Sequence, residues 1–155
     1  MTFFVHIING WNIMEENINA LDEIHKGACM GIDAIDYVID KVEDAGLKKE
    51  LNRELEEYKN TKQTIEKIYE KYNDGKLHET SLMTKAMTWS SVEMKTLTDT
   101  SASKIAELIL QGVNMGIIEG RKILNKKKIN DEVSEIIEEF VGMQEKNVEL
   151  LKEYL

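Results

Sequence analysis

The segments Gly27–Ile32 (GACMGI) and Gly112–Ile117 (GVNMGI) share one pattern and stand eighty-five positions apart. Each lies inside a long run whose apolar residues recur at spacings of three and four, as on one face of an α-helix. A second run of the same kind follows each segment after a short connection, and a short connection makes two helices antiparallel. The sequence therefore predicts a duplicated helical hairpin.

The first hairpin is predicted from two apolar stripes, one along residues 15–44 and the other along residues 47–72. Ala45 and Gly46 separate them. Glycine commonly ends a helix because it adopts left-handed backbone angles without strain. Gly46 is accordingly predicted to close the first helix.

The second hairpin combines a stripe along residues 103–126 with a last helix that is predicted to begin after Asn130, a good N-cap followed by two acidic residues. Between the hairpins, residues 73–75 (NDG) predict a turn and residues 81–98 predict a weaker crossover helix. Neither hairpin can bury its stripe alone. We therefore expect an all-α four-helix bundle with a pseudo-two-fold axis.

Composition agrees with this class and excludes some functions. The 155 residues are 42% hydrophobic and contain no proline, which is typical of an all-helical domain. A net charge of −9 argues against nucleic acid as a partner, because phosphate binding needs clustered Lys and Arg. No apolar run has the length of a membrane span. The single cysteine, Cys29, cannot form an internal disulfide, which indicates a reducing, cytoplasmic setting.

Residues 1–13 (MTFFVHIINGWNI) are uncharged, mildly apolar, and lack the basic start of a signal peptide. Met14 then opens a strongly helical run. Two interpretations stay open: a loosely packed N-terminal arm, or an extension upstream of a true start at Met14. In both, residues 14–155 form a single bundle domain.

The order of hairpin, crossover helix and hairpin resembles the ferritin-like superfamily, particularly small rubrerythrin-like bacterial proteins. The resemblance covers residues 15–155 and rests on layout and internal symmetry rather than on a signature. It implies a ferritin-like four-helix bundle. Members typically hold two metal ions, with a Glu from each of the first and third main helices and a Glu-x-x-His pair from each of the second and fourth.

Six positions of this chain match those ligands, and none carries a carboxylate or an imidazole. They are Ala28, Tyr58, Thr61, Val113, Gln144 and Asn147. A register shifted by one residue gives Glu57 with Asn60 and Glu145 with Val148, again without histidine. The resemblance therefore implies the fold, whereas the residues at the six matching positions argue against the superfamily's metal centre. No metal site, cofactor or catalytic residue is predicted.

His25 and Cys29 are four residues apart on one helix, so they could contact one metal ion or form a thiol–imidazole pair. The spacing supplies neither a third ligand nor a carboxylate that would orient the histidine. The favoured alternative is a half-buried thiol beside a surface histidine.

Five glycines lie in the repeated helices: Gly27, Gly31, Gly112, Gly116 and Gly120. Each costs up to about 1 kcal/mol against alanine inside a helix, so their presence needs a reason. The favoured reason is a close backbone approach of the two symmetry-related helices. The alternative is a groove that admits a flat ligand.

The predicted crossover helix carries Met83, Met87, Trp89 and Met94. These side chains either fill an irregular gap over the bundle or form an adaptable binding face. The favoured interpretation is that they fill the gap.

The leading functional hypothesis is a non-enzymatic structural or protein-interaction bundle, homodimeric through an exposed helix face. A second hypothesis is a metal-binding or oxidoreductase rubrerythrin-like protein whose ligands lie elsewhere. A third is a small-ligand carrier that uses the glycine-lined groove. Metal analysis separates the first two, and a co-purified small molecule would favour the third.

Overall fold

The computed structural model describes residues 2–71, 94–126 and 128–155. These residues form four long helices: α1 (Thr2–Val38), α2 (Ala45–Lys71), α3 (Ala102–Lys126) and α4 (Asp131–Leu151). Short 3-10 turns follow α1 at Ile39–Lys41 and α4 at Lys152–Tyr154. The described part of the chain contains no β-strand. The turn predicted at residues 73–75 and most of the helix predicted at 81–98 lie outside the described residues.

The helices pack as the two predicted hairpins. α1 lies along α2 and α3 lies along α4, and the hairpins meet where α1 contacts α3 and α4 and where α2 contacts α4. One continuous core contains residues from all four predicted stripes. Fully buried examples are Ile35, Leu51, Ile105 and Ile137, one from each helix. The apolar periodicity therefore predicted the buried face of each helix correctly.

The first helix begins well before its predicted start at Glu15, because the backbone of residues 2–13 continues α1. The sequence predicted that a helical run opens at Met14 and left residues 1–13 as an arm or an extension. The preceding segment contains no proline, however, so nothing in it prevents the helix from extending backward.

The connection between α1 and α2 also differs from the prediction. Gly46 does not close α1, because it lies in the first turn of α2. Asp44 caps that helix: its Oδ1 accepts a hydrogen bond from the backbone N–H of Leu47 over 2.8 Å. Its carbonyl oxygen accepts one from the N–H of Lys48 over 3.0 Å. The carboxylate satisfies one free donor at the start of α2, so the chain re-enters a helix before the glycine.

The start of α4 confirms the predicted cap. Asn130 Oδ1 accepts a hydrogen bond from the backbone N–H of Val133 over 2.9 Å. The N–H of Asn130 in turn donates to Oδ1 of Asn17, a buried side chain on α1, over 2.9 Å. This bond ties the connection of the second hairpin to the first hairpin. None of the helices formed by the described residues is long and apolar enough to cross a bilayer.

Candidate functional site

Two of the six positions that match superfamily metal ligands carry hydrocarbon side chains in the core. Ala28 on α1 is fully buried, and Val113 on α3 is 1% exposed. A divalent cation needs several converging oxygen, nitrogen or sulfur ligands, which methyl groups cannot supply. At these two positions the core contains packed hydrocarbon side chains in place of metal ligands.

Two further positions bond to each other across the bundle, and we call them the central polar pair. Tyr58 Oη on α2 donates a hydrogen bond to Gln144 Oε1 on α4 over 2.8 Å, and both side chains are buried. Burial, together with the nearby carboxyl of Glu54, raises the pKa of Tyr58 well above its usual range. The phenol therefore stays protonated and remains a donor that links the two hairpins.

Each member of the central polar pair lies over a glycine of its own hairpin. A Cβ atom on Gly31 would stand 2.5 Å from Cε2 of Tyr58, and one on Gly116 would stand 2.7 Å from Nε2 of Gln144. Both distances are shorter than van der Waals contact allows. The predicted reason for these glycines, a close approach of the α1 and α3 backbones, was wrong about the partner. Each glycine instead admits a large side chain from the adjacent helix.

The last two positions bond to residues and backbone of α2. Asn147 Oδ1 accepts a hydrogen bond from Nη2 of Arg53 over 2.7 Å. Arg53 also pairs with Glu57 over 2.6 Å and with Glu50. Thr61 Oγ1 donates to the backbone carbonyl of Glu57 over 3.1 Å. A guanidinium held beside Asn147 repels any second cation at that point.

The register shifted by one residue carries no histidine, and two of its four positions lie at the surface. Glu145 is exposed and pairs with Arg121 over 2.8 Å, and Asn60 is exposed as well. Among residues 2–71, 94–126 and 128–155, no group of three or more His, Cys, Asp or Glu side chains is placed to hold a metal ion. The residues that the structure describes do not fit the two-metal centre of the superfamily.

Glu54 on α2 is a buried carboxyl that the sequence analysis missed. Its side chain is fully buried, and neither oxygen has a hydrogen-bond partner within the described residues. Burial raises its pKa from 4.5 to about 8, with negative Glu50 and Glu57 adding to the rise and Arg53 opposing it. The carboxyl is mainly protonated at neutral pH. A signal was present, because Glu54 precedes Tyr58 by one helical turn on the buried stripe.

A small cavity lies beside the central polar pair, between α1 and α3. Its volume is about 40 Å³, and Gly112 and Gly116 are among the residues that line it. A Cβ atom on Gly112 would meet no packing neighbour within 4 Å in the described part of the chain. Pockets for drug-sized ligands span roughly 300–1,000 Å³, so this cavity has room only for water-sized molecules. Its volume gives no support to a carrier of flat ligands.

A second cluster joins α1 to α2 around His25. The histidine is 4% exposed, so the expectation of a surface histidine was wrong. Its Nε2 lies 3.0 Å from Oε1 of Glu66, and its Nδ1 lies 3.8 Å from Sγ of Cys29. The ring of Tyr69 packs at a tilt against the imidazole, with 6.0 Å between the centroids. The carboxylate that local spacing lacked comes from the neighbouring helix, where no short sequence pattern reveals it.

Comparison with known proteins gives the same architecture. No family profile and no curated sequence matches this chain. A solved structure from Bacteroides fragilis, the bacterioferritin-related protein described as a dodecameric thioferritin, aligns with a TM-score of 0.72. The alignment covers 91% of this chain and 84% of that one, at 14% sequence identity. This chain has the ferritin-like fold. At such low identity the similarity establishes the fold alone.

Of the apolar side chains singled out on the predicted crossover helix, Met94 can be placed in the ferritin-like bundle. It is 6% exposed and lines the small cavity, as expected of a side chain that fills a gap. The predictions for Met83, Met87 and Trp89 lie outside the described residues.

Proposed function

We propose that this chain is a non-enzymatic ferritin-like bundle with a structural or protein-interaction role and no di-metal centre. The observation that carries the proposal is the central polar pair. Tyr58 and Gln144 bond to each other over 2.8 Å at positions where the superfamily places metal-binding carboxylates. Buried hydrocarbon at Ala28 and Val113 supports the same conclusion.

The charges around these positions support the proposal as well. Arg53 contributes a fixed positive charge beside Asn147. Glu54, a fully buried carboxyl nearby, has a pKa of about 8 and is mainly neutral at pH 7. A core with this distribution of charge does not attract divalent cations in the way that four ionised carboxylates would.

We further propose that the protein is a rubrerythrin-like bacterial protein that works in the cytoplasm as a homo-oligomer, at least a dimer. The similar solved structure is described as dodecameric. Ile118 on α3 is 53% exposed, a large apolar side chain of the kind that interfaces cover. The free thiol of Cys29 suits a reducing compartment.

Metal analysis tests the main proposal. Cells are grown with added iron and manganese, and the purified protein is analysed by inductively coupled plasma mass spectrometry after treatment with a chelator and desalting. We expect far less than one metal ion per chain. Retention of close to two equivalents of iron or manganese would refute the metal-free proposal.

Self-association is tested separately by light scattering across a range of protein concentrations. We expect a dimer or a larger assembly that Ile118→Asp weakens. Asn114→Asp is the matched control, because it adds the same charge one turn earlier on α3 and removes no apolar surface. A monomer at all concentrations would contradict the oligomer proposal and leave the metal proposal untouched.

A further inference from the structure

Cys29, His25 and Glu66 are arranged in a line. The thiol lies 3.8 Å from one ring nitrogen of the histidine, and the carboxylate lies 3.0 Å from the other. Since the two partners face opposite nitrogens, no single metal ion can bind all three groups. A thiol, an imidazole and a carboxylate in series are instead suited to proton transfer, with the nucleophile, base and orienting group in order.

Glu66 decides which nitrogen of His25 carries the proton. A carboxylate accepts the hydrogen of Nε2, which leaves the lone pair of Nδ1 directed toward the thiol. The imidazole is held in this orientation because its side chain is only 5% exposed and packs against Tyr69. Glu66, by contrast, is 43% exposed, so its carboxylate is solvated and can be altered without opening the core.

The thiol itself needs a base. Burial raises the pKa of Cys29; the positive charge of Lys62 opposes this, while Asp33 and Glu66 add to the rise. The sulfur is therefore protonated at neutral pH, and a thiol reacts as a nucleophile only after it has lost its proton. His25 Nδ1 is the acceptor placed beside it. Because Cys29 is half-buried, a reagent that reaches the sulfur must be small.

We propose that Cys29 is a redox-modification site at which hydrogen peroxide forms a sulfenic acid, with His25 as the base and Glu66 as its positioning residue. The proton on Sγ passes to Nδ1, and the thiolate attacks one oxygen of the peroxide. An S–O bond forms as the O–O bond breaks. The sulfur loses two electrons, the peroxide is reduced, and the imidazolium returns its proton to the departing hydroxide as water.

The chain has no second cysteine to resolve the product as an internal disulfide. The sulfenic acid is therefore a stoichiometric mark that an external thiol must remove, rather than a step in a catalytic cycle. This inference does not depend on the metal-free proposal, since the cluster shares no residue with the ligand positions.

The test exposes the full-length protein to hydrogen peroxide, traps sulfenic acid with dimedone, and follows the adduct at Cys29 by mass spectrometry. We expect Glu66→Gln to slow trapping by roughly tenfold or more, because it removes the charge that stabilises the imidazolium. Removing that charge also lowers the pKa of Cys29, and the proposal requires the loss of the oriented base to outweigh this gain. The loss should be largest near neutral pH and shrink at high pH, where the thiol ionises without help. Glu70→Gln, an exposed residue one turn further along α2, is the matched control and should react like the wild type.

The unfolding temperature of each variant shows whether the fold is intact. We expect Glu66→Gln to unfold near the wild-type temperature, because the side chain of Glu66 is 43% exposed. His25→Gln should slow trapping as well, but Glu66→Gln decides the matter because His25 is buried. Equal rates for Glu66→Gln and Glu70→Gln would overturn the proposal. So would the absence of sulfenic acid in the native protein when the urea-unfolded chain forms it readily.

Discussion

Gly31 is the fifth residue of the first copy of the repeated motif and Gly112 is the first residue of the second copy, and these two glycines have opposite surroundings. Gly31 faces the ring of Tyr58, whereas a Cβ atom on Gly112 would meet no packing neighbour within 4 Å among the described residues. Their removal should therefore affect stability in opposite directions. The same residue type therefore serves packing at Gly31 and costs helix stability at Gly112.

We predict that Gly31→Ala lowers the free energy of unfolding by about 1–3 kcal/mol, because the new methyl group overlaps a rigid aromatic ring. Gly112→Ala should raise it by up to about 1 kcal/mol, since alanine favours the helix and its methyl group would overlap none of the described residues. Urea unfolding of both variants measures the difference. If Gly31→Ala were as stable as Gly112→Ala, Tyr58 would not lie over Gly31 as described.

Glu54 makes stability depend on pH. Its pKa is about 8 in the folded protein and 4.5 in the absence of the fold, so the folded state binds more protons between these values. The stability of the native protein should therefore fall as the pH rises from about 4.5 to 8. Above about pH 8 the carboxyl of Glu54 is ionised in both the folded and the unfolded state, so its destabilising effect is at its maximum and no longer changes with pH.

Glu54→Gln should remove this dependence and stabilise the protein at pH 8 by roughly 2–4 kcal/mol. Glu56→Gln, an exposed neighbour on α2, is the control and should follow the wild-type curve. Thermal unfolding from pH 5 to pH 9 checks both. If Glu54→Gln followed the wild-type pH curve, the raised pKa of Glu54 would be contradicted.

Among the secondary-structure elements, the connection between α1 and α2 depends on one side chain. Asp44 caps α2 by bonding to the N–H of Leu47, which outweighs the tendency of Gly46 to end a helix. We predict that Asp44→Ala lowers the free energy of unfolding by about 1 kcal/mol. Glu43→Ala, its exposed neighbour, should change stability by less than about 0.5 kcal/mol. Chemical denaturation measures the free energy of unfolding of both variants. Equal losses of stability in Asp44→Ala and Glu43→Ala would show that Asp44 is not the cap of α2.

The whole bundle can be tested by restoring the ligand set that the superfamily resemblance implies. The six substitutions are Ala28→Glu, Tyr58→Glu, Thr61→His, Val113→Glu, Gln144→Glu and Asn147→His. Without metal, the new buried carboxyl groups should repel each other and lose solvation, so the variant should melt far below the parent. Ferrous or manganous ions should raise its melting temperature by binding the folded state, and should leave the parent unchanged.

The outcome also tests the alignment of the six positions. A variant that folds normally without metal and ignores added metal would show that these side chains do not converge. In that case the positional argument against a di-metal centre would fail, and a displaced metal site would become the better hypothesis.

Much of the fold was readable from the sequence because it follows from local rules. Apolar spacing placed the buried faces of α2, α3 and α4, and Asn130 marked the start of α4. The repeat predicted two hairpins, and the lack of carboxylates and histidines at the six matching positions is plain from the residues themselves. The helical features depend on residues a few positions apart, which periodicity and capping patterns detect.

The sites depended on the tertiary structure because their partners are distant in sequence. Tyr58 meets Gln144, and His25 meets Glu66, only when helices pack side by side. Position 31 accommodates only glycine without a shift because the ring of Tyr58, on another helix, lies against it. The predicted apolar stripe of α2 did not include Glu54, and only packing showed that its carboxyl is buried without a hydrogen-bond partner among the described residues. Sequence patterns record the direction of each side chain around its own helix, whereas the facing residue is set by how the helices pack.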